Sequence, residues 1–114
     1  MNAKIKSLHL VDKWTSLDVD KEFYSNVEIE IGPANSNTSD LFNTTVCNYV
    51  WLINNIPQDG VFFLNKIIVS NNFDETFLTN IFSKKIASIY ADDWGKLSKK
   101  LSNFLNWEYD DYIP

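Results

Sequence analysis

Between Asp92 and Tyr112 the chain reads DDWGKLSKKLSNFLNWEYDDY, and no other stretch constrains the fold as tightly. Trp94, Leu97, Leu101, Phe104 and Leu105 recur at spacings of three and four, so they line one face of a helix while Lys96, Lys99 and Lys100 occupy the rest. That face must bury against something. Asp92 or Asp93 stands where a carboxylate caps the positive end of such a helix. The period then switches to two: rings and acids alternate through Trp107, Glu108, Tyr109, Asp110 and Tyr112, interrupted only by Asp111, which predicts a return to a strand. The stretch therefore closes a core that the rest of the chain must build.

Taken in order, the earlier segments supply that core. Ile5, Leu8 and Leu10 mark a first strand, with Ala3, Ile5 and Ser7 expected on one face and Lys4, Lys6 and Leu8 on the other. Asp12 to Asp20 reads as a charged loop pinned by Trp14. From Phe23 to Ile31, Val27, Ile29 and Ile31 alternate with Glu28 and Glu30, which predicts a strand with one apolar and one acidic face. Gly32 and Pro33 end it, and ANSNTS makes a polar hairpin tip. Leu41 to Cys47 is a third strand with Phe42, Thr44 and Val46 on one face. Asn48 then caps a short helix over Tyr49 to Ile56, and Pro57, Gln58, Asp59 and Gly60 make a turn. Val61 to Val69 is apolar on both faces except at Asn65 and Lys66, the pattern of a central strand. Asn72 followed by Glu75 is a capping-box pattern for a helix carrying Leu78, Ile81, Phe82, Lys85 and Ile89 in its stripe, with Phe73 and Phe77 as a staple. Period-two segments early and helical periods late predict an α+β fold over one domain, residues 1–114: an antiparallel sheet of four or five strands, a short helix after strand three, and two late helices on one face.

A chain of 114 residues with 45% hydrophobic side chains can build one core without covalent staples. The formal charge is −5 and arginine is absent, so the bidentate contacts that read phosphates and guanines are missing and nucleic acid is not an expected partner. Lys84, Lys85, Lys96, Lys99 and Lys100 read instead as solvated helix surface. No apolar run reaches the eighteen or so residues of a membrane span, and MNAKIKSLHLVDKW lacks the apolar core of a signal peptide, so a cytoplasmic protein is expected.

No reaction chemistry emerges from the residues, and no cofactor or metal is expected. Cys47 is the single cysteine and His9 the single histidine, and a thiol nucleophile with its base would require them to be adjacent in space. Glu28 and Glu30 lie about 7 Å apart on one strand face, the arrangement of a solvated surface rather than of a glycosidase cleft. None of the three glycines sits in a phosphate-cradling loop. Acids interleaved with rings, as in Glu108, Asp110 and Asp111 beside Trp107, Tyr109 and Tyr112, fit two readings: core rings with solvated acids, which is the simpler one, or a protein-binding surface.

The opening MNAKIKSLH, the IGP of Ile31 to Pro33, the FNTTVCNYVWL of Phe42 to Leu52, the apolar central strand expected after it, and the closing W, L, L of the last helix followed by WEYDDY of Trp107 to Tyr112 together resemble the immunity protein 8 family of bacterial polymorphic toxin systems. Asn48 and Tyr49 stand where the family would have a threonine and a proline. The resemblance spans nearly the whole chain and implies a cytoplasmic, non-catalytic protein that binds and neutralises a cognate toxin C-terminal domain. It also implies that the shared residues, Trp94 and Trp107 among them, are scaffold, with specificity placed elsewhere. On the residues themselves, Glu28, Glu30, Glu108, Asp110 and Asp111 are the candidate toxin contacts, and their sign suits a basic nuclease. The alternative is a small ligand-binding or regulatory domain, which would need an apolar pocket with convergent polar groups.

Overall fold

The structure, a computed structural model, describes residues 1–15 and 21–110. Its strands and helices are β1 (Ala3–Thr15), β2 (Phe23–Pro33), β3 (Asp40–Cys47), α1 (Tyr49–Asn54), β4 (Ile67–Val69), α2 (Glu75–Ala87), α3 (Trp94–Leu101) and β5 (Asn106–Trp107). The class is α+β, as the order of periods predicts. The sheet runs β1-β2-β3-β4, and β5 pairs β3 beside β4.

Alternation in β2 does what the sequence demands, because Phe23, Ser25, Val27, Ile29 and Ile31 are all buried. Antiparallel register sets Ile5, Leu8 and Leu10 of β1 opposite Ile31, Ile29 and Val27, and Phe42, Thr44 and Val46 of β3 opposite Ile29, Val27 and Ser25. One apolar sheet face results. Leu78, Phe82 and Ile86 from α2 join it in a single core with Leu97, Leu101 and Leu105 from α3 and the turn that follows it. The closing stripe is therefore buried as its spacing requires, with Leu97, Leu101 and Leu105 fully inaccessible and Trp94 and Phe104 packed at its margin. Both indoles of the closing segment donate to one oxygen, Oδ2 of Asp40, at 2.8 Å from Trp94 and 3.0 Å from Trp107. This clamp fixes the two rings around Phe42.

Several sequence expectations give way to local geometry. A register shift between Ile5 and Ser7 puts Ile5 and Leu8 on the same face, where strict alternation would separate them. The chain also stays extended beyond Asp12, whose φ of 54° sits in a second irregularity, so β1 reaches Thr15 and Trp14 stands 49% exposed rather than pinning a loop. The remainder of that expected loop, 16–20, lies outside the described residues.

The segment read as a central strand pairs only over Ile67–Val69, at the sheet's edge, and it runs parallel to β3. The sheet is thus mixed rather than antiparallel. Two facts explain it: α1 and the turn after it carry the chain back before β4 starts, making a β-α-β crossover, and β5 already occupies β3 at Phe42 and Asn43. Lys66, with φ 55°, bends the chain into the short strand, and its carbonyl accepts from Thr44 Oγ1 at 2.7 Å.

The helix caps are carboxamide and carboxylate side chains, as expected for two of the three. Asn48 accepts from Trp51 N and Asp93 from Lys96 N, whereas α2 is capped by Asp74 rather than Asn72. Asn72 instead accepts from Asp74 N, and Glu75 reaches across to the backbone N–H of Leu10 at 2.9 Å, tying α2 to β1. Phe73 stacks on Phe23 with centroids 3.6 Å apart, while Phe77 faces outward.

One buried group invites repair. Ser98 is fully buried in α3, and its hydroxyl has no hydrogen-bond partner among the described residues. Ser98→Ala removes that desolvated group and raises helix propensity, so it should stabilise the protein by about 1 kcal/mol. Urea titration measures this directly; a lowered midpoint would mean the hydroxyl is satisfied.

Candidate functional site

The alternation that buries Val27, Ile29 and Ile31 turns Glu28 and Glu30 to the opposite face of the sheet, where both are exposed. Glu28 sits between His9 of β1 and Asn43 of β3, and Glu30 between Ser7 and Leu41. The Glu30 carboxylate accepts from the hydroxyls of Ser7 and Ser39, each at 3.2 Å. That of Glu28 has no hydrogen-bond or ion-pair partner among the described residues. Asn106 donates to Asn43 Oδ1 at 3.0 Å and continues the polar surface onto β5.

Glu108 borders the same surface. Its N–H donates to Leu41 O at 3.1 Å, and its Oε1 accepts from Leu41 N at 2.8 Å, so the side chain closes the edge of β3 where β5 ends. Because Leu41 also faces Glu30, the backbones of Glu30 and Glu108 are two strand spacings apart, about 10 Å. Asp110 is placed differently: Lys99 contacts it at 3.1 Å and Lys66 at 3.9 Å, so its charge is largely balanced within the chain. The strand expected over 107–112 stops at Trp107, since Asp110 N bonds back to Trp107 O in a turn. Asp111 and Tyr112 lie outside the described residues.

A nucleophile-and-base pair does not assemble. His9 is in register with Asn43 across β2, whereas Cys47 pairs Tyr24 four residues further along β3, which puts the two about 16 Å apart. Cys47 is inaccessible at the end of the face covered by α1, where Trp51 packs on Tyr24 at 4.7 Å. Burial pushes its thiol pKa up, away from the thiolate a nucleophile needs. Among the described residues no cluster of His, Cys, Asp or Glu could hold a metal ion.

Sequence reasoning missed a second feature on the helix side of the sheet. Between α2 and β4 runs an apolar groove of about 640 Å³, floored by Leu78 and Phe82 and walled by Phe77, Ile81, Val69 and Tyr49. The signal was present in α2, where Phe77 and Ile81 fall outside the buried stripe of Leu78, Phe82 and Ile86 and widen the apolar arc beyond what one core needs. Few polar groups converge on it beyond Ser70, Asn71 and Lys85.

Residues 3–112 match the sequence model of the family described as immunity protein 8. The chain belongs to that family. No curated protein and no solved structure matches it. It is therefore an immunity protein, of a kind whose partner in general terms is a protein toxin. Many residues that carried the resemblance are scaffold in this immunity protein: Ile31 and Phe42 are core, Gly32 lies where the hairpin closes, and Trp94 and Trp107 are held on Asp40. No described helix of the immunity protein is long and apolar enough to cross a membrane.

Proposed function

We propose that this immunity protein binds a cognate toxin C-terminal domain in the cytoplasm, one chain per toxin domain, and silences it by occupying its surface rather than by reaction. The observation that carries the reading is the open acidic face of β2, where Glu28 and Glu30 are exposed on a regular sheet and Glu108 stands at its border. A rigid sheet presents these carboxylates with little entropy left to lose on binding. Their sign, on a chain of net charge −5, suits a basic partner, and a nuclease that holds phosphates in its active-site groove is the class that fits. Asp110, balanced by Lys66 and Lys99, contributes as a border residue, and Asp111 extends the acidic set in sequence.

The test begins by reading the neighbouring genes for a toxin C-terminal domain and expressing the one found there. Co-expression should rescue growth of cells making that domain, and the purified pair should elute as a stoichiometric complex in which the toxin's activity is lost. Absence of a complex at micromolar concentrations of both proteins, with the toxin active, would refute the reading.

A further inference from the structure

The groove between α2 and β4 has an unsatisfied counterpart in the same chain. Val61, Phe63 and Leu64 stand 49%, 88% and 51% exposed on the irregular segment before β4, so the molecule displays both an apolar projection and an apolar recess. Phe63 is five residues from Ile68, which lines the recess, so their Cα atoms lie within about 18 Å. Apolar side chains exposed together beside an apolar recess are the kind of surface an interaction covers.

Charge decides what fits it. Lys85 lies on the groove wall with its ammonium 5.6 Å from the Phe104 ring centroid, and it has no carboxylate partner among the described residues. Past Phe104 the surface continues to Lys100. An occupant should therefore be apolar at its centre and acidic beside it. The segment Asp59 to Leu64 has that composition, with an acid two residues ahead of the first apolar side chain.

We infer that two copies of this chain associate by reciprocal insertion, the Val61–Leu64 projection of each copy entering the α2–β4 groove of the other with Asp59 near Lys85. A contact in which one element of each copy meets a different element of the other, both placed close together, closes under two-fold symmetry. The acidic sheet face lies on the opposite side of the sheet from the groove and stays free, so the inference is independent of the toxin reading.

Sedimentation velocity over a concentration series tests it. The full chain should move from 13.2 kDa to twice that mass as concentration rises. Phe63→Ser removes the projection without touching the core and should weaken dimerisation by at least about tenfold, as loss of a central aromatic anchor does. Ile81→Asp, on the groove wall, should do the same. An equimolar mixture of the two variants retains one intact projection and one intact groove, and should form a mixed dimer weaker than the native one, detectable by native mass spectrometry. A single-chain mass at every concentration, native-like dimerisation by Phe63→Ser, or no mixed dimer would each overturn the inference. So would Phe63→Ser losing toxin binding while the native chain stays monomeric, which would assign the groove to the toxin.

Discussion

Phe42→Ala is expected to remove about 3–5 kcal/mol of stability, a large part of the 5–15 kcal/mol that domains typically hold. Phe42 is fully inaccessible and pairs with Ile29 at the centre of the apolar sheet face. Trp107 stacks beside it at 6.4 Å and Trp94 meets it edge-on at 6.5 Å. Neither indole can swing in to fill the space left by the ring, because both are held by Asp40, so the cavity cost adds to the lost transfer energy. Urea denaturation followed by tryptophan fluorescence measures it. Leu41→Ala, one residue away on the exposed face, is the control and should cost under about 1 kcal/mol. Similar losses for the two would contradict the assigned register.

The second large effect is expected at Gly32. A Cβ built there would lie 1.8 Å from Thr38 O and 3.1 Å from Ser39 Cα, all backbone, so no side-chain rotation can relieve the overlap. Gly32→Ala must therefore prise apart the hairpin between β2 and β3, and about 3 kcal/mol or more should be lost, at or above the upper end of ordinary overpacking. The opening would reach β1 as well, since Ala34 N donates to Asn2 O and Lys6 Nζ donates to Ser36 O at 2.6 Å. Amide hydrogen exchange should show protection lost at both ends of the hairpin. Gly60→Ala is the comparison: φ is +80° there but nothing lies within 4 Å, so only backbone strain of about 1 kcal/mol is expected. Equal effects at the two glycines would mean that the hairpin tip has room to yield.

What could be read in the sequence was whatever depends on near neighbours. Val27, Ile29 and Ile31 announce a half-buried strand because alternation is a local consequence of pleating, and Trp94, Leu97, Leu101 and Leu105 announce their helix face in the same way. Gly32 and Pro33 read as a stop, yet β2 runs through Pro33 because both pair with β1, and the close approach at Gly32 was illegible, since Thr38 arrives only when the hairpin folds. The bulge at Lys6 was illegible, because one extra residue inverts a face without altering composition. Val61 to Val69 misled for a physical reason: apolarity on both faces signals burial only if neighbours exist to cover it, and β3 offers β4 just three residues of edge. Among the candidate contacts, Glu28 and Glu30 follow from alternation alone. The ties of Glu108 to Leu41 and of Asp110 to Lys66 and Lys99 join residues 44 to 67 positions apart or set by the last turn, and spacing could not reveal them.

The central claim, that the open sheet face meets the toxin, is tested most directly by the association rate of the toxin domain with the Glu28→Lys, Glu30→Lys double variant across a salt series. Both side chains are exposed, so the melting temperature should barely move. Association should slow by about tenfold at low ionic strength, and its salt dependence should flatten because the steering field within a Debye length, about 10 Å at 0.1 M, has been largely cancelled. A Glu108→Lys, Asp110→Lys variant tests the border and should change the rate less, as Asp110 is already balanced by two lysines. A slower and salt-insensitive encounter is expected for the first pair; rates and salt slopes equal to those of the native protein for both pairs would contradict a toxin-facing sheet and move the interface to another face.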